Sequence, residues 1–97
     1  MEDNKKKGLE IELSPEVAEG VYSNLAIIAH SSSEFIIDFA RIMPGVNKAN
    51  VKSRIILTPE HAKRLLFALQ DNIARYEGQN GKINLNGQGG TATPFAN

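Results

Sequence analysis

The sequence predicts an α+β domain, an antiparallel β-meander of about four strands followed by one long amphipathic C-terminal helix packed on one sheet face. Three observations carry that expectation. Short runs before residue 58 are rich in β-branched and aromatic residues at a period of two. Clusters of Ser, Pro, Gly and Asn separate those runs. Residues 57–78 then change to a helical period, with both ends marked.

Leu9, Ile11 and Leu13 alternate with Glu10 and Glu12, which predicts a half-buried first strand, an edge or a swapped arm, stopped by Ser14-Pro15. Residues 15–20 read as a connector. The runs 21–30 and 34–43 follow as two long strands around Ser31-Ser32-Ser33. A three-residue hairpin loop there pairs His30 with Glu34, Ile28 with Ile36, Ala26 with Asp38 and Asn24 with Ala40. That register collects Leu25, Ile27, Ala29, Phe35, Ile37 and Phe39 on the opposite face, and a shift of one residue would mix the two sets. Residues 44–50 are dense in turn formers, and residues 51–57 make a fourth strand. Val51, Ser53, Ile55 and Leu57 join the strongly apolar face, while Lys52, Arg54 and Ile56 lie on the other.

The helix supplies a cover for the apolar face. Thr58 suits the N-cap, Pro59 the first helical position, Glu60 the positive end of the dipole, and Gly78 a left-handed terminus. Ala62, Leu65, Leu66, Leu69, Ile73 and Tyr76 form one stripe. Burying its four largest aliphatic side chains at ~1.5–3 kcal/mol each would contribute about 6–12 kcal/mol, an upper bound because unfolded chains already hide part of that surface.

A chain of 97 residues accommodates one small domain, and a chain this short leaves much surface exposed unless it associates. The expected organisation is a flexible N-terminus at 1–8, a domain at 9–78 and a flexible Gly/Asn-rich tail at 79–97. Eleven lysines and arginines balance eleven aspartates and glutamates, so no global field draws the protein to nucleic acid or acidic lipid. Without cysteine there are no disulfides, thiolate nucleophiles or cysteine-based zinc sites. No apolar run approaches the ~20 residues of a membrane span, and the polar start lacks the apolar centre of a secretion signal. A cytoplasmic location is the default expectation.

Apolar side chains remain outside the expected core. Phe67 lies away from the helix stripe, beside Lys63, Gln70 and Ala74. Tyr22, Ala26, Ile28, Ile36, Ala40, Ile42 and Ile56 are interspersed with charges on the second sheet face, where Asp38 comes close to Arg54. A solvated face would carry fewer isoleucines. These residues and Phe67 are therefore the predicted oligomer interface, with a homo-dimer favoured and any other protein partner unidentified. The competing function is nucleic-acid binding by Arg41, Lys48, Lys52 and Arg54 around the third and fourth strands, a small and salt-sensitive set.

Catalysis is not expected. His30 faces Glu34 across the serine turn, but no glycine elbow or oxyanion signature accompanies Ser31, Ser32 and Ser33. His61 and Glu60 lack the i, i+4 partners of a metal-binding helix, and no Gly-rich loop joins a strand to a helix, so neither metal nor cofactor is expected.

Several segments also carry a family resemblance. They are Tyr22-Ser23-Asn24-Leu25, His30 with Glu34-Phe35, Asp38-Phe39-Ala40-Arg41, Met43-Pro44-Gly45, Ser53-Arg54-Ile55 and the run from Thr58-Pro59-Glu60-His61-Ala62-Lys63 through Leu65-Leu66, Ala68-Leu69, Asn72-Ile73 and Tyr76-Glu77. In combination they resemble a family of small bacterial and archaeal proteins classed as a domain of unknown function. The resemblance implies a small prokaryotic domain and brings no activity, cofactor or catalytic residue with it.

Overall fold

The computed structural model describes residues 8–85. It contains a short helix α1 (Pro15–Ala18), strands β1 (Leu25–His30), β2 (Phe35–Arg41) and β3 (Asn50–Leu57), and a long helix α2 (Pro59–Asn80). The strands form one antiparallel sheet in the order β1-β2-β3, so the chain is an α+β protein with a meander followed by a C-terminal helix. Of the expected tails at 1–8 and 79–97, residues 1–7 and 86–97 lie outside the described residues, while Gln79 and Asn80 belong to α2.

Residues 9–13 join no strand of the sheet, and all five are exposed. The predicted stop at Ser14-Pro15 begins α1 rather than an irregular connector: Val17 N–H donates to Ser14 Oγ at 3.3 Å, and Pro15 occupies the start of the turn.

The β1–β2 register differs from the expected one by a single residue. Ile28 pairs with Ile37, Ala29 with Ile36 and His30 with Phe35, so the loop is residues 31–34. Ser31 is the cause. Its N–H donates to the Glu34 carbonyl at 2.9 Å, and its hydroxyl accepts from Ser33 N–H at 3.2 Å and Glu34 N–H at 3.3 Å, which holds Glu34 in the turn. Moving Glu34 out of the ladder turns β1 over relative to β2.

β2 and β3 pair as the alternation predicts, with Phe35 opposite Leu57, Ile37 opposite Ile55, Asp38 opposite Arg54 and Phe39 opposite Ser53. A bulge then intervenes: Ala40 pairs with Val51, leaving Lys52 as the extra residue and placing Val51 on the face opposite the expected one. The first face therefore carries Ala26, Ile28, His30, Phe35, Ile37, Phe39, Ser53, Ile55 and Leu57. The second carries Leu25, Ile27, Ala29, Ile36, Asp38, Ala40, Val51, Arg54 and Ile56.

Burial within one chain is slight. Only Ile37 and Ala40 among the described hydrophobic residues are buried, at 8% and 1% exposure, and both belong to the central strand. The expected packing of the helix on a sheet face does not occur inside the chain: appreciable contact reaches β3 alone, and Leu65, Leu66, Leu69, Ile73 and Tyr76 stay exposed, Leu69 at 53%. The connection explains why. Thr58 alone separates β3 from α2, whereas folding a helix back across its own sheet takes a loop of about 2–6 residues. The radius of gyration is accordingly 16.3 Å, against roughly 12 Å for a compact domain of this length.

Both helix-start signals hold. Thr58 Oγ1 accepts from His61 N–H at 3.1 Å, and Pro59 opens α2. The end lies three residues beyond the expected Gly78, at Gly81, where φ is +89° and the N–H donates to the Glu77 carbonyl at 3.0 Å. Asn80 extends the helix by donating its side-chain amide to the Tyr76 carbonyl at 3.2 Å.

Candidate association surface

The second sheet face is built in three rows across the strands: Leu25, Ala40 and Val51; Ile27, Asp38 and Arg54; Ala29, Ile36 and Ile56. Its middle row holds the only two formal charges of the nine. Arg54 Nε donates to Asp38 Oδ1 at 2.7 Å and Nη2 donates to Oδ2 at 2.9 Å, a bidentate pair across the ladder. The Asp38 side chain is 14% exposed and that of Arg54 60%. The hydrogen bond from Arg54 holds the Asp38 carboxyl below the usual carboxylate range, against a smaller opposing effect of burial, and the same bond raises the guanidinium. Among the described residues no buried side-chain polar atom lacks a hydrogen-bond partner.

This arrangement suits contact with another apolar surface. The two charges cancel and meet in fork geometry, so covering them leaves neither ion alone. The surrounding side chains offer aliphatic area on a sheet too thin to hide it.

The predicted interface residues divide. Ile36, Ala40 and Ile56 come together on the second face. Ala26 and Ile28 move to the first face with the β1 register. Tyr22 precedes β1, with its ring 5.3 Å from the Arg41 guanidinium carbon, and Ile42 follows β2. Phe67 lies on α2, exposed, with Lys63 Nζ 6.0 Å from its ring.

Leu25, Ile27 and Ala29 replace Ala26 and Ile28 on this face. The signal that finds them is the Ser31 hydroxyl, which sets the loop length. Asn24 has a role that alternation does not reveal. Its amide Nδ2 donates to the Ile42 carbonyl at 3.1 Å, and its Oδ1 accepts from Ile42 N–H at 2.7 Å. One side chain thereby stands in for a strand residue and prolongs the β1–β2 ladder.

The four predicted nucleic-acid contacts differ in their surroundings. Arg54 is engaged by Asp38 and Arg41 lies over Tyr22, while Lys48 is in the β2–β3 connection and Lys52 is at the bulge. His30 stacks on Phe35 with centroids 5.3 Å apart, and Ser31 Oγ serves its own loop. Among the described residues no three His, Cys, Asp or Glu side chains gather as a metal site, and no helix is long and apolar enough to cross a membrane.

Sheet and helix together define a small α+β domain whose apolar faces and helical stripe are open to contact. The chain belongs to DUF3467, a family described as a protein of unknown function, whose model matches residues 1–85. No curated protein and no solved structure matches it.

Proposed function

We propose that the protein is a non-enzymatic, cytoplasmic binding or scaffold component that works as a homo-oligomer, a dimer in its simplest form, associating through the second sheet face. The observation that carries this reading is the bidentate Asp38–Arg54 pair framed by Ile27 and Ile56, both more than a third exposed, and the half-buried Ile36. A lone chain gains nothing by leaving that much aliphatic surface in water.

In the assembled protein the α2 stripe covers the first face, where Phe35, Ile37, Ile55 and Leu57 lie, and residues 9–13 complete the sheet as a fourth strand. Each element is amphipathic with its apolar side exposed, and each supplies what the other lacks.

Light scattering tests the reading. The wild type should show a mass of at least two 10.6 kDa chains, and Ile27→Asp with Ile36→Asp should lower it. A single-chain mass for the wild type at micromolar concentration overturns the proposal.

A further inference from the structure

Among the described residues the sheet has two open edges, and their chemistry differs. β1 presents Leu25, Ile27 and Ala29 to one face and Ala26, Ile28 and His30 to the other, with no lysine or arginine. β3 presents Ser53, Ile55 and Leu57 to the first face, and Arg54 and Ile56 to the second, with the bulge residue Lys52 on the Arg54 side of Ser53 by alternation.

Residues 9–13 have the complementary pattern. Leu9, Ile11 and Leu13 alternate with Glu10 and Glu12, and the segment stands off the sheet with Ile11 83% exposed. When Ile11 is set opposite Ser53, Glu10 and Glu12 fall beside Arg54 and Lys52 whichever way the strand runs, and the three aliphatic residues extend the first face. A slip of one residue would set Ile11 opposite Arg54 or Lys52 and turn both glutamates to the Ser53 side. On the β1 edge no register offers either glutamate a lysine or arginine. Arg54 retains capacity for this contact, because Asp38 occupies only Nε and Nη2 of a side chain that is otherwise largely exposed.

We infer that residues 9–13 of one copy add to the open β3 edge of a second copy, reciprocally, with Ile11 opposite Ser53. This rests on the oligomeric reading and names the segment and the edge through which it operates. The donor is a second copy because in its own chain the segment pairs with no strand and leads directly into the Ser14-capped α1, itself held by Ala18 N–H donating to the Ser14 carbonyl at 2.8 Å. Edge addition also removes the exposed row of backbone donors and acceptors that a free strand leaves.

The sequence contains no cysteine, so introduced thiols report without background. A tagged Ile11→Cys chain is refolded together with an untagged Ser53→Cys chain and oxidised, since opposite residues on paired strands lie about 4.5–5.5 Å apart at Cα, within disulfide reach. The expected product is a tagged–untagged covalent pair on a non-reducing gel. Glu10→Lys with Glu12→Lys should weaken association by about tenfold, and Lys52→Glu should restore part of it. A cross-link formed only inside a chain carrying both cysteines overturns the inference, as does preferential cross-linking of Ile11→Cys to Ile27→Cys on the β1 edge. An oligomeric wild type with no Ile11–Ser53 cross-link overturns strand donation alone, whereas a monomeric wild type overturns the oligomeric reading with it.

Discussion

Asp38 and Arg54 face each other directly across β2 and β3 and are joined by two hydrogen bonds of 2.7 and 2.9 Å, in the central row of a face whose other paired positions are aliphatic. This pair combines three properties. It fixes the β2–β3 register at that face, cancels its own charge, and titrates away from the usual carboxylate value.

The titration gives a pH prediction. Because the folded Asp38 pKa is lowered, the pair stabilises the folded protein fully above the unfolded value of about 3.9. That contribution is lost as pH falls from there through the lower folded value. Asp38→Asn should reduce stability at pH 7 and flatten this part of the acid transition, as measured by urea unfolding from pH 7 to pH 2. An acid limb of unchanged steepness in the variant would show that Asp38 does not carry it.

Ile36 lies next to Asp38 in β2 and pairs with both Ala29 and Ile56. Ile36→Asp places a second carboxylate in the aliphatic row and should reduce the assembly towards single chains in light scattering. Ile36→Val, with one methylene removed, should cost only about 0.5–1.5 kcal/mol and keep the mass. Equal behaviour of the two variants would sever the link between this face and association.

Leu69 tests the helix stripe. Half-exposed as it is in the single chain, its truncation to alanine would cost little, but a stripe covered in the assembly should lose about 2–5 kcal/mol. Urea midpoints measured across protein concentrations separate the two cases. A small loss independent of concentration would place the stripe in water.

Thr58→Ala removes the acceptor for His61 N–H and should lower helix stability by about 1 kcal/mol, with Thr58→Gly milder. Thermal unfolding followed at the helical band in circular dichroism reads this directly. Because Thr58 is also the whole connection between β3 and α2, the alanine variant should keep its native mass.

The residues that made the fold legible were those with one dominant role. Thr58, Pro59 and Glu60 announce a helix start through backbone chemistry alone, and the structure places them there. Phe35, Ile37 and Phe39 contrast sharply with Asp38, so the β2–β3 pairing follows from alternation. β1 lacks that contrast: Leu25, Ile27 and Ala29 on one side are hardly more apolar than Ala26 and Ile28 on the other. A strand apolar on both sides specifies its register weakly, and the decision passed to the hydrogen bonds of Ser31, which hydrophobic patterning does not reveal. The choice of Gly81 over Gly78 depends likewise on local bonding rather than on period, and the bulge at Lys52 interrupts the period of β3. Ile36, Ala40 and Ile56 share the second face as alternation predicts because they sit on β2 and β3, whereas Ala26 and Ile28 fall on the first because they sit on β1.

The junction at Thr58 makes α2 a lever. Its 22 residues span about 33 Å at 1.5 Å each. A rotation of only ~10° about the Thr58 backbone would therefore sweep the far end, near Tyr76 and Asn80, through roughly 6 Å. Inserting one residue within the first turn of α2 would swing the rest of the apolar stripe by about 100° around the rod. The aim of the helix is thus set by one pair of torsions at its root, and whatever grips its tip governs how far the root is allowed to turn.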